Sequence, residues 1–76
     1  MTPQEAIVRR LELKLAIAER KARYLAERAS RSAQLTSSGA EDRETAELHR
    51  SEADVAALRV EQARLAVEQA KNESQS

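Results

Sequence analysis

Small and apolar residues recur along this chain in alternating steps of three and four, in two runs placed symmetrically about its single glycine. The first run is Val8, Leu11, Leu15, Ala18, Ala22, Leu25, Ala29 and Ser32, and the second is Ala46, His49, Ala53, Ala56, Val60, Ala63, Val67 and Ala70. A three-four rhythm is the heptad signature of a helix that buries one seam against another helix. Read inward from both ends, the runs form pairs whose numbers sum to 78, from Val8–Ala70 and Leu11–Val67 to Ala29–His49 and Ser32–Ala46. A chain folded back near Gly39 brings each pair level. The pattern predicts an all-α protein, one long antiparallel two-helix coiled-coil hairpin.

Volume and charge agree with this pairing. Most layers set a bulky residue against Ala or Val, which keeps the seam filled without overpacking. Residues 1–35 carry eight Lys/Arg and four Glu, while residues 36–76 carry five Lys/Arg and nine Asp/Glu, so the arms have opposite charge. The flanking positions predict ion pairs of Glu12 with Arg64 and of Glu5 with Lys71, and one mismatch, Lys21 beside Arg59. Exposed pairs of this kind tune register more than stability.

Local signals set the boundaries. Thr2-Pro3-Gln4-Glu5 reads as a helix start, with Thr2 as cap, Pro3 in the first turn and Glu5 completing a capping box. No breaker follows until Ser37-Ser38-Gly39-Ala40, where Gly39 suits the left-handed helix terminus. Asp42 suits the cap of the return helix, and Glu41 and Glu44 suit its N-terminal dipole. The expected organisation is a single hairpin over 1–76, with helix 1 over about 3–36, a turn at 37–41, helix 2 over about 42–72 and a frayed tail at 73–76. Arms of about 30 residues span roughly 45–50 Å.

Composition narrows the chemistry. Seventy-six residues, one-third charged, with one Gly, one Pro and no Cys, Trp or Phe, fit a long helix and not a sizeable globular core. No apolar run approaches the ~20 residues of a membrane span, and no basic-then-apolar N-terminus marks a signal peptide. Net charge is zero with both signs interspersed, which argues against a nucleic-acid surface. The lone His49 lies in the seam and lacks the companions of a metal site. The carboxylates alternate with Lys and Arg as a solvated face does. No phosphate-cradling Gly-rich loop exists, and helices this close leave no room for a pocket. The expectation is no enzyme, no catalytic residue, no metal and no cofactor.

A second apolar set lies off the seam. With Val8 as heptad position a, Leu13, Ile17 and Tyr24 fall at c and f, and so do Leu48, Val55, Leu58 and Leu65 in the second arm. A lone hairpin leaves all seven in water. Both arms depart from the surface rule at the same heptad positions, which points to lateral packing and a homo-oligomer, either a four-helix dimer or a larger ring.

The stretch from Ala29 to Ala70 resembles the α-helical hairpin of HlyD-type periplasmic adaptor (membrane fusion) proteins, which link inner-membrane transporters to TolC-like outer-membrane channels in efflux and type I secretion. The residues that carry the resemblance are the turn Ser38-Gly39-Ala40-Glu41-Asp42 and the Ala/Leu repeats of the return helix. Arg31 and Leu35 also match the spacing of the family's tip signature, and Asp42 stands where its Ser would be. The resemblance implies tip docking on a TolC-like channel through Arg31, Leu35, Gly39 and Asp42, an inner-membrane transporter as second partner, and a place in the periplasm or cell envelope. Asp42 keeps the capping role of the Ser but adds a charge. The lipoyl-like halves, β-barrel domain and export signal of an adaptor are absent from these residues, so the resemblance implies a hairpin standing apart from them. The alternative is a freestanding or engineered hairpin that dimerises into a Rop-like four-helix bundle with a scaffolding or regulatory role.

Overall fold

The computed structural model describes residues 1–75 and consists of two helices, α1 (Pro3–Ser37) and α2 (Arg43–Gln75), joined by residues 38–42. The helices run antiparallel in a rod of 55 × 17 × 12 Å. The cross-section is oblong because it holds two helices and nothing else. Two broad faces therefore show both helices, and two narrow edges show one helix each.

Thr2 caps α1 from an extended conformation, its Oγ1 accepting the Glu5 N–H at 3.1 Å while its carbonyl accepts the Ala6 N–H at 3.0 Å. These two bonds satisfy donors that the first helical turn leaves free. Pro3 enters directly behind the cap, where a missing N–H costs nothing. At the other end the structure corrects one expectation: residues 73–75 are helical, not frayed, and Ser76 lies outside the described residues. No Gly or Pro interrupts this stretch, and its polar side chains bond along the helix, with Ser74 Oγ donating to the Lys71 carbonyl at 2.9 Å. The end of α2 also lies beside the start of α1, where Met1, Glu5, Ser74 and Gln75 line one groove.

All sixteen seam positions are buried or half-buried. Leu25, Ala56, Val67, Ala70 and Ser32 lie deepest, at 9% exposure or less. No large side chain among the described residues is wholly enclosed, as two helices have no third layer to close over them.

The inter-helix ion pairs differ from those expected. Glu12 pairs with Lys71 at 3.6 Å, not with Arg64, and Arg64 pairs with Glu19 at 3.7 Å. Arg28 pairs with Glu52 on the opposite broad face. The reason is side-chain direction. Every helical side chain leans toward the N-terminus of its own helix. In an antiparallel pair those leanings converge for residues whose numbers sum to more than the level value, and diverge for those that sum to less. The expected Glu12–Arg64 pair diverges; the observed pairs converge.

Candidate functional site: the tip and the outer edges

The tip begins where α1 runs out of hydrogen-bond partners. Ser38 is the last residue near helical geometry, and Gly39 follows at φ +81°. That left-handed step turns the chain so that the Leu35 carbonyl accepts the N–H of Ala40 at 2.8 Å and of Glu41 at 3.3 Å. Ser38 Oγ donates to the same carbonyl at 2.9 Å. One carbonyl thus gathers three donors and closes the helix end.

Asp42 then opens α2. Its Oδ1 accepts the Thr45 N–H at 2.7 Å, and its carbonyl accepts the Ala46 N–H at 3.3 Å. The Thr45 backbone bond, helped by the Thr45 side chain, holds the Asp42 carboxyl below its ordinary pKa. The four tip residues named from sequence have two different jobs here. Gly39 and Asp42 build the turn, whereas Arg31 and Leu35 are exposed side chains on the last turns of α1, Leu35 at 46%.

Beneath the turn lies a polar cluster that the heptad pattern does not predict. The Ser32 hydroxyl is hydrogen-bonded to His49 Nδ1, and Glu41 Oε1 stands 3.9 Å from the same nitrogen. Ser32 is 3% exposed. Both oxygens approach one ring nitrogen, unlike a Ser-His-acid triad, in which the hydroxyl and the carboxylate hold opposite nitrogens. The cluster reads as a clasp joining α1, the turn and α2. Its signal in the sequence was the adjacency of the Ala29–His49 and Ser32–Ala46 layers, which puts the seam's two polar residues one layer apart. His49 leans toward its own N-terminus and so reaches Ser32.

A solvent-open groove of about 450 Å³ runs along one broad face. Its floor is formed by Ala18, Leu25 and Ala56, and its rim by Lys21, Arg28, Ser51, Glu52, Val55 and Arg59. The seam is closed as expected, but the face above it is not flat, because Ala18 and Ala56 leave a trough between longer neighbours. The like-charged Lys21 and Arg59 both stand on its rim. Arg28 also lies 6.0 Å from the Tyr24 ring centroid, so one guanidinium ties α1 to α2 and to its own outer face. Among the described residues no group of three or more His, Cys, Asp or Glu side chains is placed to hold a metal ion.

The seven off-seam apolar residues are all exposed, from Val55 at 44% to Ile17 at 69%. Positions c and f point away from the partner helix, so Leu13, Ile17 and Tyr24 lie on one narrow edge of the rod. Leu48, Val55, Leu58 and Leu65 lie on the opposite edge. The broad faces between them carry the inter-helix ion pairs. No helix of the described residues is long and apolar enough to cross a membrane. No known family model matches the chain, and no curated protein or solved structure proved similar to it.

Proposed function

We propose that this hairpin is a protein–protein interaction rod that works by its tip, as the hairpins of HlyD-type periplasmic adaptors do. The observation that carries the reading is the pairing of exposed Arg31 and Leu35 on the last turns of α1, directly beside the turn at the rod's end. A half-exposed leucine next to an exposed guanidinium supplies an apolar anchor and a directional donor, and arginine is among the residues enriched in interface hot spots. The turn beneath them is held by the Gly39 geometry and by the Ser32–His49–Glu41 clasp, so the anchor is presented on a rigid support. On this reading the partner is a TolC-like outer-membrane channel that offers its own helical tip. An inner-membrane transporter sits at the other end, and the setting is the cell envelope.

The four-helix-bundle alternative fits the side chains less well. A face-to-face dimer buries a broad face, and the large apolar residues off the seam lie mainly on the edges.

The test is binding of the hairpin to a purified TolC-like channel, compared with Arg31→Ala and Leu35→Ala. Each variant should weaken binding about tenfold or more, with helicity and melting temperature unchanged. Binding that survives both substitutions, or that is absent in the parent chain, overturns the assignment.

A further inference from the structure

The groove between the helices carries positive charge that the chain does not neutralise. Its lining holds three bases, Lys21, Arg28 and Arg59, against one acid, Glu52, and Glu52 is committed to Arg28. That ion pair shows what the register provides. The numbers of Arg28 and Glu52 sum to 80, so their side chains converge across the seam. Lys21 and Arg59 also sum to 80 and stand one heptad farther from the turn. The same leaning draws these two toward each other, base against base.

Neither base finds relief along its own helix. The residues three and four places away are Ile17, Ala18, Tyr24 and Leu25 for Lys21, and Val55, Ala56, Gln62 and Ala63 for Arg59, with no acid among them. Both side chains are exposed. Neither meets a carboxylate among the described residues.

We infer that this groove binds a free medium-chain carboxylate. Its head lies between Lys21 and Arg59, and its chain runs along Leu25, Val55 and Ala56 toward the turn. The head takes the place that Glu52 fills one heptad on, and its two oxygens meet the two cations. Charge-assisted bonds of this kind are the strong ones, and a guanidinium suits a carboxylate in particular.

The chain of the ligand is set by what lies between the two charged stations. The floor there is Leu25 and Ala56, both at 9% exposure or less, and Val55 stands beside them at 44%. Covering that surface removes apolar area from water. From the level of Lys21 to the level of Arg28 is seven residues, or about 10 Å of rod, a length that octanoate or decanoate fills. At the far end Arg28 and Glu52 neutralise each other, so a second acidic head has nothing to meet. This selects a monocarboxylate. A small anion alone leaves the apolar floor wet, and an uncharged alcohol leaves both bases unpaired. The groove of about 450 Å³ is of ordinary size for a ligand of this class.

The groove lies on the flank of the rod, and none of its residues belongs to the tip. Carboxylate binding and channel docking are therefore tested by different variants, and either can fail without the other.

Calorimetric titration of the intact chain with decanoate, kept below its micelle-forming concentration at low ionic strength, is the test. One equivalent should bind saturably, and added salt should weaken it. Decanol and acetate should each bind about tenfold more weakly or not at all. The double variant Lys21→Gln with Arg59→Gln should lose about tenfold in affinity or more. Both positions are exposed, so its helicity should match the parent's. Arg59→Glu supplies the missing acid from the chain itself and should abolish binding, again with helicity intact.

The absence of saturable binding by the parent overturns the inference. So does a double variant, or Arg59→Glu, that is helical and binds decanoate as tightly as the parent. Decanol binding as well as decanoate shows apolar partition alone, and acetate binding as well shows an adventitious ion only. Binding to anionic phospholipid vesicles without binding to free decanoate shows a membrane surface in place of a free amphiphile. Each of these three results also overturns it.

Discussion

Among the described residues, Gly39 is the one held at a positive φ, a backbone that L side chains rarely adopt. A Cβ there meets nothing within 4 Å, so the cost of replacing it comes from its φ of +81° and not from crowding. Gly39→Ala should therefore destabilise the hairpin by about 1 kcal/mol, the usual penalty of left-handed geometry for an L-residue; urea denaturation followed by circular dichroism measures it. Asp42 works through charge instead. Its folded pKa lies below that of the unfolded chain, so its stabilising share is present above the ordinary Asp value of about 3.9 and is lost as pH falls through the folded pKa. Asn also caps but carries no charge. The melting temperature of the parent minus that of Asp42→Asn should be constant from pH 7 to pH 5 and shrink toward pH 2. Both caps were legible in the sequence, since capping is a local matter of residue type and spacing. The link of Ser32 to His49 was not, because it depends on which way each side chain leans once the helices are side by side.

At the scale of the helix pair, the seam combines regular register with thin burial. Leu25 is the largest side chain among its deepest residues, and Leu25→Ala should cost roughly 2–4 kcal/mol in chemical denaturation. Leu13→Ala, on the outer edge, should cost under about 0.5 kcal/mol in a dilute monomer. Arg28 and Glu52 retain partial exposure, with side chains at 30% and 42%. A double-mutant cycle on the pair should yield a coupling of about 0.5–1 kcal/mol that falls with added salt. The heptad steps made the antiparallel pairing and all sixteen seam positions legible, because burial follows backbone periodicity. They did not yield the charge partners: Glu12 was matched with Arg64 by height alone, whereas the tilt of both side chains carries it to Lys71. The last turn of α2 was also underestimated, since polar residues without Gly or Pro extend a helix when a partner helix runs alongside.

The whole molecule is a rod with one turn and no third layer, so its stability should respond to anything that covers its edges. Self-association adds stability by mass action. The melting temperature should therefore rise with protein concentration over a hundredfold range for the parent, and stay flat for the double variant Ile17→Glu with Leu58→Glu. The oblong section and the apolar character of both edges were readable from heptad positions, and the opposite charge of the two arms from the sequence alone. Because the chain goes out along one helix and comes back along the other, its first and last described residues lie together at the end away from the turn, lining one groove. Entry and exit are then about 8–10 Å apart, the usual spacing of packed helices, which is a gap that an ordinary surface loop can bridge. The hairpin thus has the geometry of a cassette: spliced into a loop of a host domain, it would stand out as a strut about 55 Å long. Two points of attachment would resist twisting at its base in a way that a single-helix stalk cannot.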